Sequence, residues 1–145
     1  MKDLLAAIKA ALQEGLPAIK NRDIYITEDI RLIRSTGGYP AIGIKDGNTN
    51  ITTLASDQEE LEMTVTLAAY VQLFKPEAGI MGDNSQKGVL EVAKDIKALL
   101  KNNNLGGLVE SALPVSIGAS ELLSTETLAI TMVTVTMRYT RYDEN

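Results

Sequence analysis

The residues from Leu61 to Phe74 constrain this chain more than any others. Leu61, Met63, Val65, Leu67, Ala69, Val71 and Leu73 face one way. Glu62, Thr64, Thr66 and Gln72 face the other, with Tyr70 and Phe74 among them. A period of two sustained over that length predicts a long strand with one buried face, and therefore a sheet. The buried face needs a cover, and two amphipathic segments supply it. Leu4, Leu5, Ile8, Ala11 and Leu12 recur at helical spacing with Lys2, Lys9 and Gln13 opposite, and Gly15 and Pro17 stop the pattern, so residues 2–14 are expected to be a helix with one core stripe. A second helix is expected at about 85–102, with Val89, Val92, Ala93, Ile96, Leu99 and Leu100 as its stripe. Asp83, Asn84 or Ser85 would cap it, and Lys94, Lys97 and Lys101 suit its C-terminal end.

The other segments read as strands and connections. Residues 22–34 are expected to be a strand, with Ile24, Ile26, Ile30 and Leu32 in one phase and a break at Glu28 and Asp29. Pro40 to Lys45 is a short strand. Asp46 to Asp57 is polar and reads as a long loop, a kind of connection that is often functional or ordered by a partner. Pro76 to Asn84 reads as a Gly-rich connection. Residues 108–117 form a strand that Pro114 marks as an edge or a bulge. The last strand is expected at about 125–142. Its phase shifts by one between Met132 and Val133, which would require a β-bulge. The expected fold class is α+β: a mostly antiparallel sheet of about five strands with two amphipathic helices packed on one face.

A chain of 145 residues fits one domain, 1–145, and a 45 % hydrophobic content supplies a core without disulfides. Cysteine and histidine are both absent. That removes thiolate chemistry, the commonest general base and the commonest transition-metal ligand. The formal net charge of -5 gives no basic nucleic-acid footprint. No apolar run approaches the roughly 20 residues of a membrane span. The N-terminal residues read as an amphipathic helix rather than a secretory signal, so folding in the cytoplasm without a membrane partner is expected.

Several short patterns invite chemistry and fall short of it. Asp46, Asn48, Asn50, Thr52 and Asp57 match positions of a calcium loop, but Ile51 stands where that turn needs glycine. Gly79-Ile80-Met81-Gly82 precedes a helix without a phosphate-loop signature. Asp57, Glu59, Glu60 and Glu62 form an acidic cluster that reads as a solvated face. An enzyme would have to work through these carboxylates or through Lys87 and Lys94. No catalytic residue, metal site or cofactor is expected. The candidate interface residues are Asp46, Asn48, Asn50 and Asp57 in the polar loop, Met81 and Asp83 in the Gly-rich connection, and Arg138, Arg141 and Tyr142 at the end of the last strand. Arg and Tyr are favoured anchors at protein contacts.

The order of elements resembles the tail terminator family of long-tailed bacteriophages. The resemblance covers nearly the whole chain: a short N-terminal helix, the YPAIGI segment from Tyr39 to Ile44 before a polar loop, and the long LEMTVTLAAYVQLF strand. A Gly-rich turn then enters a helix ending in KALLKNNNLGGL, and LAITMVTVTMRYTRY closes the domain. It is a pattern of organisation rather than a signature motif. It implies a homo-oligomeric ring, a hexamer, seated on the last ring of tail tube protein. Such a ring halts tube growth, offers a surface to the head-side connector or neck protein, and meets the sheath if the tail is contractile. DNA passes through without specific binding. The implied location is the tail–neck region of the virion. A head-closure, neck or other minor tail protein shares this build, and a small-molecule-binding α+β domain is the alternative from a different class.

Overall fold

Three long strands form the spine of the computed structural model, which describes residues 1–33, 38–83, 86–124 and 128–144. The strands are β1 (Ile24–Ile26), β2 (Ala41–Thr53), β3 (Gln58–Gln72), β4 (Ser111–Ile117), β5 (Glu121–Ser124) and β6 (Ala129–Glu144). They make one six-stranded sheet of order β1-β2-β3-β6-β4, with β5 also paired to β6. Every pairing is antiparallel except β1 with β2. The helices are α1 (Lys2–Gly15), α2 (Pro76–Met81) and α3 (Val89–Leu100). The fold is thus α+β with a mostly antiparallel sheet, as the alternation in Leu61–Phe74 implied, with one strand and one short helix more than expected.

The main core lies between the sheet and the two long helices. Val65, Leu67 and Ala69 of β3 and Val133, Val135 and Met137 of β6 meet Leu4, Ile8 and Leu12 of α1 and Val92, Ile96 and Leu100 of α3. Burying each large aliphatic side chain contributes about 1.5–3 kcal/mol. α1 packs on β1 and β2, and α3 packs on β3, β6 and β4. The two helices meet closely at Gly15, where a Cβ would lie 2.6 Å from Leu99 Cδ1. α3 starts from Gly88, whose N–H donates to the Glu91 carboxylate at 3.1 Å. Glu91 thus holds the N–H of the residue that opens the helix, and Asp83 does not cap α3 but accepts the Gln86 N–H. Asn84 and Ser85, the other two cap candidates, lie outside the described residues.

Four expectations are corrected. Residues 46–53 are not a loop but the outer half of β2, hydrogen-bonded to β3 from Thr49↔Met63 to Thr53↔Glu59. Their Asn- and Thr-rich composition reflects an exposed strand end, not irregular backbone. Residues 76–81 form α2, opened by Pro76 in the first turn, where its missing N–H has no partner to lose. The strand expected over 22–34 shrinks to three residues. Ile26 and Leu32 are 44 % and 46 % exposed, and Arg34 lies outside the described residues.

The fourth correction concerns the phase shift in β6. The β3–β6 register runs unbroken from Gln58↔Glu144 to Gln72↔Ile130, so β6 has no bulge against β3 at Met132. Both faces of the sheet are buried at this end instead. Ile130 and Met132 join Ala41, Ala68 and Tyr70 in a second, smaller cluster on the face away from the helices, covered by Ile30, Ile33 and Tyr39. Tyr25 stacks on Tyr70 with ring centroids 6.5 Å apart, and the Tyr70 hydroxyl donates to the Ile30 carbonyl. Among the described residues α3 starts at Val89 and β6 at Ala129, while the starts expected at about 85 and 125 fall on residues 85 and 125–127, which lie outside the described residues.

Candidate assembly surfaces

The two ends of the sheet are unlike. At one end β1 covers only Ile42, Gly43 and Ile44 of β2. From Gly47 to Thr53 the outer side of β2 carries no strand among the described residues. The Leu54 N–H donates to the Gln58 carbonyl at 2.6 Å and closes the β2–β3 hairpin. That fixes the even-numbered residues towards β3 and leaves the backbone groups of Thr49, Ile51 and Thr53 pointing outward. This stretch, GNTNITT, has no charge and no proline, the two commonest devices that keep a sheet edge from pairing. Ile51 is 62 % exposed on it.

The other end is blunted and apolar. In β4, Pro114 has no N–H, the register shifts between Pro114 and Ser116, and the Ala112 carbonyl is already taken by the Asn102 N–H at 2.9 Å. Leu113, Val115 and Ile117 of β4 and Leu122 of β5 are 43–65 % exposed. Leu113 lies on the face away from the helices and Ile117 and Leu122 on the helix face, and exposed apolar side chains grouped at an edge are candidate contact residues.

The sequence-derived interface residues distribute unevenly over this frame. Asp46, Asn48 and Asn50 sit on β2 and Asp57 lies in the turn that follows, at φ 61°. Arg138, Arg141 and Tyr142 sit two strands away on β6, and the row Thr52↔Glu60↔Tyr142 joins the two groups at the hairpin end of the sheet. Met81 and Asp83 follow the opposite end of β3 and are not brought to the others. Met81 is 63 % exposed, and the Asp83 carboxylate accepts the Gln86 N–H at 2.8 Å. The missed residues are Phe74, which is 75 % exposed, and the apolar margin of β4 and β5. For the margin the signal was present: a proline within an apolar run that otherwise reads as a strand marks an exposed edge.

Charge at the hairpin end is partly paired. Arg141 holds Asp143 in a two-pronged contact of 2.8 and 3.0 Å, and the guanidinium lowers that carboxyl below its ordinary value. Lys45 does the same for Asp46 at 2.9 Å. Arg138 pairs loosely with Glu62 at 3.5 Å. Asp57, Glu59 and Glu60 have no ion pair among the described residues.

Concave surface is limited. A cavity of about 390 Å³ is lined by Tyr39, Pro40, Phe74, Ala78 and Lys87 among others. Among the described residues no three His, Cys, Asp or Glu side chains are placed to hold a metal ion. Asp46, Asn48 and Asn50 follow an extended strand, so they do not wrap round a common point as calcium ligands do. No described helix is long and apolar enough to cross a membrane. Comparison of the sequence with protein-family models and with curated proteins finds no match.

Proposed function

We propose that this chain is a structural protein that forms a ring on the end of a phage tail tube, stops the tube from growing, and offers its far face to the head-side connector. The observation that carries the reading is the inequality of the two sheet ends. An open, uncharged strand edge lies at one end and a blunted apolar margin at the other. Unlike surfaces on opposite sides of one subunit favour heterologous contacts, and heterologous contacts that close give rings. Six copies follow from the resemblance to tail terminators. A terminator matches the tube's growing face on one side and fails to reproduce it on the other, which asks for shape and not chemistry. In this reading the ring is assembled in the host cytoplasm and stays in the tail–neck region, with DNA passing through its opening.

Purified protein should run as a closed oligomer in light scattering, alone or in the presence of tube protein. In electron micrographs it should add density to one end of preformed tubes only. A chain that stays monomeric in both settings contradicts the ring. The cavity beside Phe74 motivates a second reading, a small-molecule-binding domain. Its volume falls in the range of ligand pockets, and that reading requires a monomer whose cavity is filled by a ligand.

A further inference from the structure

We infer that the β2–β3 hairpin of one copy docks on the surface made by α3, β4 and β5 of the next, guided by charge. This rests on the ring reading and names its contact. The stripe Leu90, Lys94, Lys97 and Lys101 recurs at helical spacing on α3 and just beyond its end. It lies on the flank of α3 away from α1, because Leu99, on the other flank, is the residue that meets Gly15. α1 covers β1 and β2 while α3 covers β3, β6 and β4, so this flank faces the β4 edge, and β5 continues that same edge of β6. Leu90 is 43 % exposed there. Ile117 and Leu122 project on the same side of the sheet, since they pair in register with Val135 and Thr131. The result is an apolar strip of Leu90, Ile117 and Leu122 beside three lysines, none of which has an ion pair among the described residues.

The hairpin has the complementary character. From Gly47 to Glu62 the chain holds four acidic residues and no basic one. Ile51 pairs with Leu61 and Glu59 with Asp143, which puts Ile51 and Glu59 on the helix side of the sheet, with Asp57 at the tip. Ile51 would enter the apolar strip while Asp57 and Glu59 face the lysines. A neighbour's β2 laid beside β4 also preserves the antiparallel alternation of the sheet. Side chains carry this contact more than backbone, because Pro114 and the occupied Ala112 carbonyl leave β4 few free groups. Within one copy the two surfaces lie at opposite ends of the sheet, so the match can be made only between copies.

Two charge-reversed proteins test this. One carries Lys94→Glu, Lys97→Glu and Lys101→Glu; the other carries Asp57→Lys and Glu59→Lys. Each alone sets like charge against like and should lose the oligomer in low salt, with its circular dichroism unchanged. Mixed in equal amounts they should regain it, since each then meets an opposite surface. In the unaltered protein, carbodiimide coupling of isotope-labelled with unlabelled chains should join a lysine among 94, 97 and 101 to Asp57 or Glu59 across copies. Oligomers that persist in each variant, or cross-links confined to other residues, overturn the contact and leave the ring itself standing, whereas a two-fold dimer overturns the contact and the ring together. A wild-type protein that is monomeric with and without tube overturns both. An oligomer joined by these cross-links that leaves tubes uncapped upholds the contact and removes the terminator role.

Discussion

Tyr139 shows how much one atom can matter in this core. Its ring is fully buried under the helices, and its hydroxyl has no hydrogen-bond partner among the described residues. A buried, unsatisfied hydroxyl costs about 1–3 kcal/mol. Tyr139→Phe should therefore leave stability unchanged or raise it by about 1 kcal/mol, read as the urea midpoint. Burial also pushes the phenol above its ordinary value of 10.0, so the folded state favours the neutral form. The sign follows. Above about pH 10 the unfolded phenol releases its proton while the folded one keeps it, and stability falls as pH rises towards the folded value. The slope per tyrosine is about 1.4 kcal/mol for each pH unit. Tyr70 is raised by the same cause. Denaturation at pH 9 to 11 should show the loss in the wild type and a shallower one in Tyr139→Phe. Equal slopes would mean the hydroxyl is solvated.

Among the elements, α3 has a buried face that holds the core and an outer flank that the proposed contact uses. Ile96 is fully buried against the sheet, and Ile96→Ala should cost about 2–5 kcal/mol without favouring one assembly surface over another. Lys97→Gln, on the outer flank, should change stability by less than about 0.5 kcal/mol and act on assembly instead. Thermal unfolding and light scattering on both variants separate the two effects. The register shift within β2 is sterically fixed: at Gly47 a Cβ would stand 2.6 Å from the Thr64 carbonyl oxygen. Gly47→Val should destabilise by about 1–3 kcal/mol through displaced backbone, measurable in the same unfolding experiment. The helices were legible because one buried face imposes a clean period, and β3 because Glu62, Thr64 and Thr66 keep the alternation before both faces become buried at Ala68 and Tyr70. The outer half of β2 was not, since a strand exposed on both faces shows the composition of a loop. The shift in β6 was visible, but its cause was not, because a strand buried on both faces and a bulged strand produce the same change of phase. Of the candidate site, polarity singles out Asp46, Asn48, Asn50 and Asp57 in the sequence, and the Arg and Tyr side chains single out Arg138, Arg141 and Tyr142. The apolar margin of β4 and β5 was passed over because apolar residues in a strand are first assigned to a core.

For the whole molecule, the unlike sheet ends tie the fold to the proposed role. An antiparallel sheet with helices on one face buries a sufficient core and leaves two edges to manage. One edge here is blunted by proline and a register shift, while the other is open and uncharged. In the proposed ring a neighbour would cover this open edge, largely through side chains, and closure would leave no copy with its edge uncovered. In the proposed ring, the acidic balance of -5 would also discourage phosphates from adhering to the wall of the opening. The most direct measurement is the length distribution of tail tubes polymerised from purified tube protein with increasing amounts of this protein. The account predicts that tubes become short and capped, with added density at one end, and that excess protein lengthens none of them. Tube lengths unchanged at saturation, with both ends bare, would contradict the terminator role and leave a head-closure or neck role as the better explanation.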